Sequence, residues 1–235
     1  MNILNTHYIN NQRLLRCCLF FVVSVIVSFS SLASEGAFQS LAKKDFKRNW
    51  TVESESPDYR ITHLGDTVEI LAPKGLTLWN NERLEGDITI EFDACVMDEG
   101  QPGDRLSDLN CFWMASDPLH PDNLMKRKSW RSGIFNRCYT LQMYYLGYGG
   151  NHNSTTRFRR YDGNPLAVDS ASLRPAILTE YTDPEHLLKP NKWYHVTISN
   201  RGNRVTYTID GERIVDFRDP NPLTSGWFGF RTTLS

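Results

Sequence analysis

The stretch from Tyr139 to Gly163 reads YTLQMYYLGYGGNHNSTTRFRRYDG and gathers polar, cationic and aromatic side chains into little space. Gln142 and Tyr144, two residues apart, share one face of an extended chain. Tyr148, Asn151 and His152 follow around Gly147, Gly149 and Gly150, and Arg157, Arg159, Arg160 and Tyr161 come next. Glycines let the backbone take positive φ and let a ligand come close. A guanidinium fork matches a carboxylate bidentately, and polar groups converging beside aromatic rings suit a sugar. Cleavage beside a uronate by β-elimination sets three tasks: neutralise the carboxylate, remove the C5 proton, and protonate the leaving oxygen. The expected base is His152, and the expected acid is Tyr144 or Tyr148. Arg157 or Arg159, with Asn151, is expected to hold the carboxylate, and Gln142 is counted with the substrate-binding residues. A structural account stays open beside this one. His152 could cap the turn, the tyrosines could pack, and Arg159 and Arg160 point to opposite sides of an extended chain.

A second group lies just upstream. Trp130 stands among Lys126, Arg127, Lys128 and Arg131, an arrangement suited to an exposed stacking platform for an anionic sugar, or to a solvated basic loop. Trp130 and Arg131 are therefore counted with the substrate-binding residues, as a neighbour across a cleft. Glycoside hydrolysis instead needs two carboxylates. Glu91 and Asp93 share a strand face about 7 Å apart, as solvent-facing acids also would. Plain sugar binding without catalysis would stack the sugar on Trp79, Trp113, Trp130 or the Tyr144/Tyr145/Tyr148 group, rings that core packing would also explain, Trp113 above all. No spacing of Cys and His marks a zinc site, so no metal ligand and no cofactor is expected. The loop acids Asp104, Asp108, Asp117 and Asp122 could hold a structural Ca²⁺, although their spacing fits no particular calcium loop.

These groups need a scaffold, and the pattern of the chain is that of strands. WTVESE, YRITHLG, DTVEILAP, LTLWNN, DITIEFDACVMDE, LNCFWMAS, KWYHVTISN, RVTYTIDG, ERIVDFRD and GWFGFRTT are short runs divided by Gly, Pro and Asp. In DITIEFDACVMDE, Ile88, Ile90, Phe92, Ala94 and Val96 share one face, so one side packs on a core. Asp210-Gly211 marks a tight hairpin. The expected fold is an all-β, two-sheet antiparallel sandwich with few or no helices.

Residues 1–33 read as a secretory signal peptide. Arg13 and Arg16 precede an apolar run from Cys17 to Val27, and Ser31 and Ala33 are small residues before the expected cleavage site. The run falls short of the ~20 residues of a spanning helix, so stable membrane insertion after cleavage is not expected. A single domain from 34 to 235, secreted or periplasmic, remains. The formal net charge of −1 gives no sign of a nucleic-acid partner; the expected partner is a polysaccharide or oligosaccharide. Cys95, Cys111 and Cys138 remain, read as buried thiols or as one disulfide with a leftover thiol.

The closing run NKWYHVTI, VTYTIDGERI and GWFGFR resembles the last strands of concanavalin A-like (laminin G/glucanase-type) jelly rolls, and LTLWNNERLEGDITIEFDA resembles their opening core strands. The resemblance implies that fold, which hosts lectins, hydrolases, lyases and adhesion modules alike. Lyases of this fold class use Arg, Gln and Asn with His and Tyr. Its glucanases use a Glu-x-Asp-x-x-Glu array that is incomplete here, with Val96 or Met97 at the third position. DLNCFWMASDP and YYLGYGGNHNSTTRFRRYDG are similar to the DUF6250 family of secreted bacterial proteins, and more distantly to the YesU-like proteins. That kinship implies work on polysaccharides, especially uronate-containing ones, and supplies no catalytic residues. The expected activity is a lyase on an acidic polysaccharide, with a glycoside hydrolase or a non-catalytic carbohydrate-binding module as the alternatives.

Overall fold

The computed structural model describes residues 21–28, 40–65, 67–100 and 105–232. The alternating runs become strands of two antiparallel seven-stranded sheets. The first sheet contains β1 (Phe21–Ser28), β3 (Arg60–Leu64), β4 (Thr67–Leu71), β6 (Ile88–Val96), β11 (Trp193–Arg201), β12 (Arg204–Ile209) and β13 (Glu212–Arg218), in the order β13-β12-β11-β6-β1-β4-β3. The second contains β2 (Trp50–Ser54), β5 (Leu76–Glu85), β7 (Leu109–Ser116), β8 (Gln142–Gly149), β9 (Thr155–Asp162), β10 (Ile177–Tyr181) and β14 (Ser225–Thr232), in the order β10-β9-β8-β7-β14-β5-β2. The longest described α-helix is α1 (Lys43–Asn49), and among the described residues no helix is long and apolar enough to cross a membrane. β1 falls inside the segment read as a leader, and it pairs with β6 from Phe21↔Val96 to Ser28↔Thr89.

The main core lies between the sheets. The period of two turns Ile88, Ile90 and Phe92 of β6 inward to meet Trp113, Tyr144 and Phe158 of the second sheet. Trp113 sits at its centre, packed on Tyr144, Phe158 and Tyr207, and its indole N–H donates to Asn200 Oδ1 at 3.0 Å. Cys95, Cys111 and Cys138 are buried free thiols; burial pushes Cys111 up to about 12 and Cys138 up to about 11.

A second apolar cluster occupies the other face of the second sheet. Phe112, Met143, Tyr145 and Tyr161 alternate along their strands with the inward residues, so they face away from the main core. The segment between β7 and β8 folds over them as short helical turns and contributes Leu124, Cys138, Tyr139 and Leu141. Two buried arginines hold this cover down. Arg131 is wholly buried and forks onto Glu53, with Nη2–Oε1 at 2.5 Å and Nε–Oε1 at 3.1 Å, while Nη2 also donates to the Leu124 carbonyl at 2.7 Å. Arg231 of β14 donates to the Gly133 carbonyl at 2.5 Å. Gly133 has φ of +72°, and a Cβ there would stand 2.5 Å from the Gly75 carbonyl oxygen and 2.7 Å from Glu55 N, so only glycine fits.

Candidate functional site

The outer face of the second sheet and its cover enclose a half-open cavity of about 430 Å³. Strand register assembles it. Gly147 lies opposite Asn110 on one side and Arg157 on the other, and Tyr145 lies opposite Arg159. All these residues therefore point to the same face. Phe135 and Tyr139 reach in from the cover, and Arg174 from the loop before β10.

The aromatic wall is continuous. Ring centroids are 5.5 Å apart for Tyr139–Tyr161, 5.7 Å for Tyr145–Tyr161 and 5.5 Å for Phe135–Tyr139. Burial raises the pKa of Tyr139, Tyr145 and Tyr161, so each hydroxyl keeps its proton at neutral pH. Among the described residues, four arginines, Arg105, Arg157, Arg159 and Arg174, line the space against one carboxylate, that of Asp108. Arg174 lies over the Tyr139 ring at 5.6 Å, Arg159 donates to the Pro175 carbonyl, and Arg157 pairs with Glu180 at 2.5 Å. Asp108 accepts from Ser107 Oγ at 2.7 Å and from Asn110 Nδ2 at 3.2 Å, and Arg105 is 3.5 Å from it. The site is cationic, polar at one end and aromatic along its wall.

The rim is the turn between β8 and β9. Gly149, Asn151, His152 and Asn153 all have left-handed φ, from +52° to +67°. Left-handed non-glycine residues cost roughly 1–2 kcal/mol each, so the surroundings must hold them. Asn153 does so by donating to the Leu188 carbonyl at 2.9 Å and accepting from Leu188 N at 2.8 Å, and Ser154 Oγ donates to the Asn151 carbonyl at 2.7 Å. His152 is exposed on this rim, and its ring makes no hydrogen bond among the described residues.

Of the expected site residues, Asn151, His152, Arg157 and Arg159 all line the cavity. Tyr144 and Tyr148 do not. The period of two turns them into the sandwich, where the Tyr144 hydroxyl donates to Asp219 Oδ2 at 2.7 Å and accepts from Leu223 N at 3.1 Å. Tyr148 donates to the Leu187 carbonyl at 3.4 Å and packs on Tyr194. Burial raises the pKa of both. Gln142 shares their parity and lines a separate hollow of about 290 Å³ with Arg83 and Arg160. Trp130 is outside the cavity, held between the guanidinium groups of Arg127 at 4.0 Å and Arg137 at 5.3 Å. Arg131 is spent on Glu53 and cannot reach a ligand. Glu91 and Asp93 lie on β6 of the other sheet, where Asp93 bonds His195 at 2.8 Å.

Of the acids considered for calcium, Asp108 lines the cavity and accepts from Ser107 and Asn110. Asp117 faces Arg127 and Arg131, Asp122 faces Arg83, and Asp104 lies outside the described residues. Among the described residues no three or more His, Cys, Asp or Glu side chains cluster to hold a metal ion. The sequence leaves out Tyr139, Asn110, Arg105 and Arg174, and it reads Asp108 only as a possible calcium ligand and Tyr145 only as a stacking or packing ring. Tyr145 carried a usable signal, because it shares the parity of Gly147 and pairs with Arg159.

A family model described as "Domain of unknown function (DUF6250)" matches residues 70–235. No curated protein gave a significant match. Among solved structures, a protein of unknown function with galectin-like fold from Bacillus subtilis superposes with a TM-score of 0.60 at 19% identity, covering 83% of this chain and 87% of that one. The carbohydrate binding module CBM66 from Bacillus subtilis gives 0.51 at 16% identity, covering 79% and 88%. The exoplasmic/lumenal domain of VIP36 in its Ca²⁺/Man-bound form gives 0.53 at 11% identity, covering 90% and 83%. At these identities the likeness is one of fold, a concanavalin A-like jelly roll.

Proposed function

We propose that this chain, which belongs to the DUF6250 family, is an exported protein that binds a uronate-bearing saccharide in the cavity on the outer face of the second sheet and cleaves it by β-elimination. The observation that carries the reading is the convergence of Arg105, Arg157, Arg159 and Arg174 with Tyr139, Tyr145 and Tyr161 in one space that holds, among the described residues, a single carboxylate. Guanidinium groups neutralise a sugar carboxylate, and aromatic rings cover the apolar faces of the sugar. The carbohydrate binding module and the Man-bound domain among the structural neighbours agree with a saccharide ligand.

In the reaction, His152 takes the C5 proton. Its electron pair forms the C4–C5 double bond, the C4–O bond breaks, and the departing oxygen takes a proton from Tyr145. Tyr145 replaces Tyr144 and Tyr148 in the acid role, since its hydroxyl stays protonated and it lines the same space as His152. Binding without cleavage is the second reading. It is favoured by one observation: among the described residues the His152 ring lacks the orienting partner that usually fixes a general base. Two-carboxylate hydrolysis is poorly supported, because Asp108 is the sole acid among the described lining residues.

The test incubates the protein with oligogalacturonate and oligoglucuronate and follows the ultraviolet absorbance of the unsaturated product. Elimination is expected in the wild type and is expected to fall by about 10²–10⁴ in His152→Ala, with binding kept. Full activity in His152→Ala removes it from the base role. Binding with neither absorbance nor new reducing ends leaves the non-catalytic reading standing.

A further inference from the structure

We propose that Asn110 is the hydroxyl-recognising residue of this cavity: the bound saccharide must present a free, unacylated ring hydroxyl to Asn110 Oδ1 while its carboxylate faces the arginines. The inference rests on the reading of the cavity as a uronate site and adds a rule for which uronates it takes.

Asn110 is 2% exposed, yet among the described residues no group donates to its Oδ1. A buried carbonyl without a donor costs about 1–3 kcal/mol, and buried polar atoms are seldom left in that state. The orientation of the amide is fixed by chemistry. Its Nδ2 donates to Asp108 Oδ1 at 3.2 Å, and turning it over would set carbonyl against carboxylate. The free acceptor therefore stays on the cavity side.

Gly147 lies directly across the ladder from Asn110, and the space over it is narrow. A Cβ there would overlap the Tyr145 hydroxyl and stand 2.9 Å from Asn110 Oδ1. An acceptor in that position calls for a donor. A sugar carboxylate has none at neutral pH and is repelled by Asp108, whereas a hydroxyl has one. An O-acyl ester removes the donor and adds bulk where one methyl group already clashes. On an acylated polymer, a deacylating reaction must then come first.

Calorimetry with galacturonate and glucuronate oligomers, each free and O-acetylated on its ring hydroxyls, tests this. The wild type is expected to bind the acetylated form about ten- to a hundredfold more weakly than the free form. Asn110→Leu keeps the volume and removes the acceptor. It is expected to weaken binding of the free form by a similar factor and to bind both forms alike. That loss of discrimination is something a merely structural role would not produce. Equal binding of the two forms by the wild type overturns the proposal, as does Asn110→Leu that keeps the wild-type preference. If Asn110→Leu fails to fold, Gly147→Ala decides, because it leaves the Asn110–Asp108 bond in place and fills the space; undiminished binding overturns the proposal. No binding of any uronate by the wild type overturns the reading of the cavity itself, a result distinct from the others.

Discussion

Arg131 shows how one residue can govern a site it never touches. Its side chain is 0% exposed and its partner Glu53 is 1% exposed, so neither charge is solvated. Breaking such a pair from one side leaves a bare charge in the interior and costs about 3–5 kcal/mol. Arg131→Met is therefore expected to lower the unfolding free energy by that amount in urea titration. Because the pair anchors the cover that carries Phe135 and Tyr139, saccharide binding is expected to weaken as well. Replacing Glu53 with Leu in the same chain removes the stranded carboxylate and is expected to restore much of the lost stability. A double variant as unstable as Arg131→Met would mean that packing, and not charge, accounts for the loss. Nothing in KRKSWR tells which cation is buried. The partner lies 78 residues away, and only tertiary structure joins them. The sequence therefore reads Arg131 as a ligand and the structure makes it an anchor.

At the scale of elements, the sandwich follows from the alternation of the strands, and the sequence shows it plainly in β6, β11 and β12. The site is half legible for the same reason. Composition marks the β8–turn–β9 hairpin, but a period of two leaves open which face of β8 looks inward. Tyr144 and Tyr145 are equally aromatic, and burial between the sheets takes Tyr144. Asn110 and Arg174 come from other parts of the chain and carry no local signal. The turn itself supports a more specific expectation. His152 has φ of +58°, a strain that glycine would relieve, against the entropy glycine loses on folding. The two effects are each about 1 kcal/mol, so His152→Gly is expected to leave the melting temperature nearly unchanged while elimination is lost. Asn153→Ala severs both bonds to Leu188 and is expected to weaken ligand binding by loosening the rim, with a modest fall in stability. A large drop in melting temperature for His152→Gly would show that the imidazole holds the turn and has no chemical task.

On the scale of the whole molecule, β1 and the proposed leader make competing demands on residues 21–28. In the first sheet β1 pairs antiparallel with both β6 and β4, and it is the strand that joins the β3–β4 hairpin to the rest. If the exported chain begins at Ser34, that strand is gone, and β6 loses an eight-residue ladder. Unpaired backbone groups beside a core are costly, so the gap must close. β4 and β6 are both antiparallel to β1 and hence parallel to each other. The chain between them crosses to the second sheet through β5, which is the kind of crossover a parallel pair requires. The expected outcome is a mature protein starting at Ser34, with β4 docked directly against β6. Intact mass of the exported protein checks the first part, and protection of the β6 amides against hydrogen exchange checks the second. Fast exchange along β6 in a chain starting at Ser34 would mean the edge stays open. A mass that retains Phe21 would overturn the leader and keep β1 as a permanent strand of the sheet.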